Sequence, residues 1–244
     1  RTLTRSCCQP ITVCHSGGRC ACCCQFCRGN ACGFFCLELT KARFALSYRD
    51  LEEMMHIRGA VIDHSTVARW VGKFVALVEC RVRQRRKPVN GSWRMDETYI
   101  KVNGRWVYLY RAVDSLGNII EFLLREKRDL AAAKAFFQKA FRSSCRPDKV
   151  NIDKSGSNIA ALKALNKNQP KTIEIRQNKY RNNIIEQEHR FIKKKTKPML
   201  GFKNLISAEN TLAGMECIRM IQKGQIFGQT KNFCSFNNFA SLMA

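Results

Sequence analysis

Acidic residues are scarce in this chain. Its 244 residues include 19 Asp and Glu against 43 Lys and Arg, a formal net charge of +24. A folded protein with so little negative charge projects a field that attracts polyanions, and nucleic acid is the first candidate partner, with an anionic membrane surface second. Long apolar runs are also missing, and without one no segment spans a bilayer, so membrane insertion is not expected. Residues 1–30 are interrupted by Arg, His and Gln, which does not fit the unbroken apolar core of a secretory signal. The cytoplasm, in association with the nucleoid, is therefore the expected place. There are four histidines, and His56, His64 and His189 show no metal-ligand spacing. No internal repeat is visible.

What is present is enough apolar residue to build a core, 45% of the chain, and this excludes wholesale disorder. The cysteines are unevenly placed, with ten of 14 between Cys7 and Cys36. Cys20, Cys22, Cys23, Cys24 and Cys27 are too crowded for separated ligand pairs, so no zinc is expected. Residues 1–40 are expected to be an atypical leader, disordered or out of frame. Cys80, Cys145, Cys217 and Cys234 are expected to be small buried hydrophobes.

From Ser47 to Val78 apolar residues recur every three or four positions, broken at Gly59, as in two short helices joined by a turn. Residues 41–80 are therefore expected to form a helix-turn-helix. Arg81 to Lys87 is basic, and Pro88, Asn90 and Gly91 follow, so residues 81–92 read as a basic linker. Residues 92–127 read as a three-stranded meander, with Asn103-Gly104 as a hairpin turn and a second turn at Asp114 to Asn118. Helices are expected over 130–141, 159–165, 181–195 and 205–223, with short strands at 150–152 and 172–175. The order βββαβαβα predicts an α/β fold with a mixed sheet and flanking helices. The catalytic domain is expected to span residues 93–200, and a C-terminal helix and tail residues 201–244.

Three acids stand where strands end or a helix begins: Asp96 in WRMDETY, Asp153 after Val150-Asn151-Ile152, and Glu186 in NNIIE. Carboxylates from separate elements that converge at a sheet edge repel one another unless cations bind, and hard oxygen ligands suit Mg²⁺ or Mn²⁺. Two such ions can activate an attacking oxygen and stabilise a leaving one in phosphodiester chemistry.

Longer motifs surround these acids. The stretches SYRDLEEMM (47–55), VIDHSTVARWV (61–71), WRMDETYIKVNGRWVYLYRAVDS (93–115), NIDKSGSN (151–158), KYRNNIIEQEHRFIKK (179–194) and GFKNL (201–205) closely resemble bacterial insertion-sequence transposases of the insertion-sequence-six group. Leu212 to Glu216 and Lys223-Gly224-Gln225 fit the same pattern. The resemblance implies a helix-turn-helix followed by a ribonuclease-H-like catalytic core. It implies an Asp-Asp-Glu triad, carried here by Asp96, Asp153 and Glu186, which would hold two Mg²⁺ or Mn²⁺ ions. It further implies replicative, cointegrate-type transposition acting on terminal inverted repeats and target DNA, with a homodimer or larger assembly on DNA. Two alternatives stay open: a catalytically decayed copy that only binds DNA, and another ribonuclease-H-like nuclease.

Spacing and chemistry point differently for the third acid. Between Asp153 and Glu186 lie 32 residues, about two fewer than the group's usual interval, a loss that a loop near Asn166 to Pro170 can absorb. Glu188 fits the interval better. Two helical residues span about 200° of rotation, so Glu186 and Glu188 cannot face one site. Glu188 lies within the apolar stripe of Ile184, Ile185, Phe191 and Ile192 and is expected against the core edge, with a partner such as Lys195. Glu186 shares a face with His189, Arg190, Lys193 and Lys197, and NNIIE makes it the match.

For DNA contact, His64, Ser65, Thr66 and Arg69 begin the second helix of the turn motif, the position that enters a major groove. Arg81, Arg83, Arg85 and Arg86, and Arg190, Lys193, Lys194, Lys195 and Lys197, are placed to meet phosphates. Glu97 reads as a supporting or surface residue, Asp114 as a turn residue, Asp129 and Asp148 as caps, and Trp93 and Trp106 as packing groups.

Overall fold

A computed structural model describes residues 46–57, 59–153, 156–167, 169–178, 182–228 and Leu242. The cysteine-rich leader and its expected lack of zinc lie outside these residues. No described helix is long and apolar enough to cross a membrane.

Two helices open the described chain. Helix α1 spans Tyr48–Ile57 and α2 spans His64–Gln84. The break falls where Gly59 takes φ +79°, a conformation that costs glycine little. Helix α2 starts because the Asp63 carboxylate accepts from the Ser65 and Thr66 amides at 2.9 and 3.3 Å, satisfying donors that the first turn leaves unpaired. Val67, Val71, Val75, Val78 and Val82 are all buried. Their spacing of three or four lays one apolar stripe along the helix, and each buried valine is worth about 1.5–3 kcal/mol.

That stripe runs past the expected boundary at residue 80. Helix α2 continues through Gln84, and residues 81–92, expected as a linker, hold its last turn and the entry to the sheet. Much of α2 packs against a C-terminal helix α6, Leu205–Gln222. Val78 and Val82 share a buried cluster with Ile218, Met220 and Ile221. Helix α6 is accordingly part of the core, and the second helix of the turn motif is packed into the same body as the sheet.

The sheet has five strands: β1 Ser92–Val102, β2 Arg105–Asp114, β3 Ile119–Arg125, β4 Lys149–Asn151 and β5 Glu174–Arg176. Their order is β3-β2-β1-β4-β5. Strands β1, β2 and β3 pair antiparallel, while β1–β4 and β4–β5 are parallel. Only β2 runs against the others, so the sheet is mixed, as expected. Asn103 and Gly104 close the β1–β2 hairpin with φ 48° and 77°, as a tight turn matched to strand twist requires. The second turn is knotted around Asp114, whose Oδ1 accepts from the Leu116 and Asn118 amides at 2.9 and 2.8 Å.

Strand alternation divides the core. Trp93 and Met95 of β1 face helix α3, Leu130–Ser143, and helix α4, Gly156–Asn166. Ile100 and Val102 face the opposite cluster, with α1, α2, α6 and Ile192 of helix α5, Asn183–Thr196. Asp129 caps α3 through the Ala132 amide at 2.7 Å. The expectation of buried cysteines holds for Cys217 but not for Cys80 and Cys145, which are exposed.

Candidate active site

Strand β4 pairs with β1 only along Ser92–Arg94. Just beyond that pairing lie Asp96 and Glu97 on β1, and Asp153 follows the end of β4. Asp96, Glu97 and Asp153 each offer a carboxylate oxygen, and these oxygens all lie within 4.8 Å of one another. Asp96 and Glu97 belong to opposite faces of the sheet, and the end of β4 lets the two meet at an open edge.

Nearby negative charge raises the proton affinity of a buried carboxylate. Burial pushes the Glu97 carboxyl above the usual carboxylate range, and the neighbouring Asp153 and Asp96 add to the effect. Asn158 Nδ2 donates to Glu97 Oε1 at 2.8 Å, and Arg128 reaches Glu97 Oε2 at 3.0 Å and Asp153 Oδ2 at 3.3 Å. These contacts oppose the rise only in part. The site therefore keeps an excess of hard anionic oxygen, the donor chemistry that suits Mg²⁺ or Mn²⁺.

Helix α5 docks beside Asp96. Its buried residues are Ile185, Glu188, His189 and Ile192. His189 Nε2 stands 3.4 Å from Asp96 Oδ2. Burial pulls the His189 pKa below its ordinary value, and Asp96 offsets only part of that. Glu186 lies one turn before His189 and is exposed. It is not among the three acids brought together.

Glu188 is committed elsewhere. Arg219 holds both its oxygens at 3.0 and 3.2 Å, Lys223 approaches to 2.8 Å and Arg111 to 4.0 Å. Burial disfavours its charge, but the hydrogen bonds from Arg219 and Lys223 outweigh that and hold its pKa low. The expected Lys195 partnership is replaced by these three cations, because α6 rather than the end of α5 lies against Glu188. Arg111, cross-strand from Asp96, is itself buried against Glu216 at 2.7 Å.

The DNA-contact candidates fall into two sets. Ser65, Arg69, Arg190, Lys193, Lys194 and Lys197 are exposed. Arg69 donates to Thr66 Oγ1 at 3.0 Å, and His64 Nδ1 meets Glu52 at 2.8 Å. Arg85 is exposed, while Arg81 donates to the Leu242 carbonyl at 3.2 Å. Arg83 is tied to Glu79 at 2.7 Å and to buried Glu121 at 2.8 Å. Arg86 donates to the Ile120 carbonyl at 2.7 Å and also bonds Ser143 and Ser144. These two arginines fasten α2 to the sheet and α3, so their guanidinium groups are occupied within the chain.

Sequence reasoning read Glu97 as a supporting or surface residue, and it missed Arg128 and Asn158. Asn158 ends the NIDKSGSN motif, a signal that was available. Arg128 carries no local signal. Trp93 packs as expected at 1% exposure, but Trp106 is 65% exposed and is not a packing residue.

A family model described as a DDE domain matches residues 90–225. The transposase for insertion sequence element IS257 in transposon Tn4003 of Staphylococcus aureus is 39% identical over 183 residues, covering 74% of this chain and 80% of that protein. The transposase for insertion sequence-like element IS431mec of Staphylococcus aureus strain N315 matches with the same identity and coverage. Among solved structures, the HTLV-2 integrase catalytic core domain in complex with magnesium (trimeric form) is similar at 17% identity and TM-score 0.45, covering 60% of this chain and 97% of that one.

Proposed function

The chain belongs to the DDE-domain transposases of bacterial insertion sequences, the insertion-sequence-six group, and we propose that it binds the ends of its element, cuts DNA strands there and joins them to target DNA. The observation that carries this reading is the triangle of Asp96, Glu97 and Asp153 at an open sheet edge. Its crowded hard oxygens fit divalent cations, which such transposases use. Asp96 and Asp153 would hold them, with Glu186 supplied from α5. Bound Mg²⁺ or Mn²⁺ ions would activate the attacking oxygen and stabilise the leaving one.

The chain's own residues set the geometry. His189 contacts Asp96, and Glu186, three residues earlier on α5, would share that face of the helix. Glu188 fixes the rotation of α5 by anchoring its other side to α6. Arg128 and Asn158 hold Glu97 in place beside Asp96 and Asp153. Ser65 and Arg69 at the start of α2 would read base edges. Arg190, Lys193, Lys194 and Lys197 would meet phosphates. The product is a cointegrate, formed by a dimer or larger assembly acting on nucleoid DNA in the cytoplasm.

The test is a strand-transfer assay with a donor end and a supercoiled plasmid target in Mg²⁺. The wild-type chain gives joined product and Asp96→Asn gives none while still binding the end. A chain that binds ends but never joins them is the decayed, DNA-binding copy instead. Cleavage without joining would identify a nuclease of the same fold.

A further inference from the structure

A second surface is built on β1 and α5, the strand and helix that also flank the acid centre. Tyr99 and Lys101 of β1 face Tyr108 and Trp106 of β2 across the hairpin, pair by pair. The Tyr99 and Tyr108 rings lie 5.2 Å apart, centroid to centroid. Tyr99 is 49% exposed and Trp106 65%, so neither aromatic is used by the core. The end of α5 forms the facing wall with Lys193 and Lys197, and Leu200 to Phe202 close one end. Phe202 is stitched to the hairpin, donating to the Lys101 carbonyl at 2.9 Å while its own carbonyl accepts from Asn103 at 2.7 Å. Gly201, at φ 108°, passes so close that a Cβ would sit 3.1 Å from the Lys101 carbonyl. The resulting groove has a volume of about 870 Å³, and pockets of roughly 300–1,000 Å³ take ligands of nucleotide size.

Three features identify the occupant. The walls are aromatic, and every nucleobase has a π-face that stacks on such rings. The rim is lysine, matching a phosphate backbone and repelling a cationic partner. The groove shares its elements with the acid centre: Tyr99 is on β1 three residues beyond Asp96, and Lys193 is on α5 one turn beyond His189. A duplex cannot enter, because its bases are stacked inward, and only an unpaired strand offers them.

We propose that this groove binds a short run of unpaired DNA beside the strand being cut or joined, stacking a base on Trp106 and the Tyr99–Tyr108 pair, with Lys193 and Lys197 on its phosphates. The proposal rests on the transposase reading and deepens it, since it names the form of DNA held beside the strand on which the acids would act.

The full chain in chelator is titrated with a 12-nucleotide thymidine single strand and with a blunt duplex of equal length, followed by fluorescence anisotropy. Trp106→Ala weakens single-strand binding about 5- to 100-fold and leaves duplex binding within about twofold. Trp106→Phe, which keeps a ring, restores most of the affinity. A strand carrying 2-aminopurine is quenched by the wild-type chain and less by Trp106→Ala. Unchanged single-strand affinity in a folded Trp106→Ala overturns the proposal, as does equal loss for strand and duplex. A shift in self-association with strand binding unchanged makes the groove an interface with a second copy, and also overturns it. Because no catalysis runs in chelator, these failures leave the strand-transfer test of the transposase reading intact.

Discussion

His189 Nε2 and Asp96 Oδ2 are 3.4 Å apart, and this contact decides which face of α5 the acid centre meets. Glu188, the neighbouring helical residue, is turned about 100° away and is drawn into ion pairs with Arg219 and Lys223. The helix is thus fixed from both sides. Glu186, one turn back from His189, is exposed and lies about 60° from it around the helix.

The two glutamates should therefore fail differently when altered. Glu186→Gln abolishes strand transfer and leaves the melting temperature close to wild type, because the residue is exposed. Glu188→Gln lowers stability by on the order of 3 kcal/mol, since it leaves buried cations uncompensated. Thermal melting beside a strand-transfer assay checks both. An active Glu186→Gln together with a dead but fully stable Glu188→Gln would falsify the assignment.

Stability should fall in acid through Glu188 and Glu121. Burial works against the charge of each, but hydrogen bonds from Arg219 and Lys223 to Glu188, and from Arg83 to Glu121, outweigh it and hold both pKa values low. A lowered folded pKa adds stability that is fully present above the unfolded value of about 4.3 and is lost as pH falls through the folded value. Melting curves from pH 6 downward, with Glu121→Gln and Glu188→Gln as controls, should show a drop starting at roughly pH 4.3 that each variant makes shallower. Parallel curves for all three chains would refute this origin.

Within the acid centre, Asp96→Asn and Asp153→Asn should abolish cleavage and joining, as should removal of divalent ions with a chelator. Glu97→Gln and Asn158→Ala should instead slow the reaction by about 10- to 100-fold, the usual cost of losing a residue that orients metal ligands. Raising Mn²⁺ should recover part of that loss. Complete inactivity of Glu97→Gln at every metal concentration would make Glu97 a ligand in its own right.

Basic residues should separate by whether the fold already occupies them. Arg69→Ala weakens binding to element ends more than to random DNA, by about 1–3 kcal/mol of discrimination. Lys194→Ala weakens both alike and reduces the salt slope by about one. Arg83→Ala leaves the slope unchanged and lowers the melting temperature, because buried Glu121 loses a 2.8 Å partner. A lowered slope in Arg83→Ala would return that residue to the DNA surface.

The sequence by itself determined the element order, the hairpin at Asn103-Gly104, the Asp114 turn and the positions of Asp96 and Asp153, because periodicity, turn residues and motif runs are local properties of the chain. It also separated Glu186 from Glu188, since helical rotation alone puts them on different faces. Tertiary structure decided what local pattern cannot carry. Helix α2 crosses its expected boundary because its valine stripe continues and α6 is there to cover it. Arg83 and Arg86 read as solvated charge in sequence, yet β3 and α3 bring acceptors to them from 34 to 58 residues away. Glu97 enters the acid centre because β4 stops early, which leaves the β1 edge open to both faces. Trp106 stays exposed although it lies in a strand of the sheet. Each outcome depends on which distant surface arrives, and burial is settled only by that meeting.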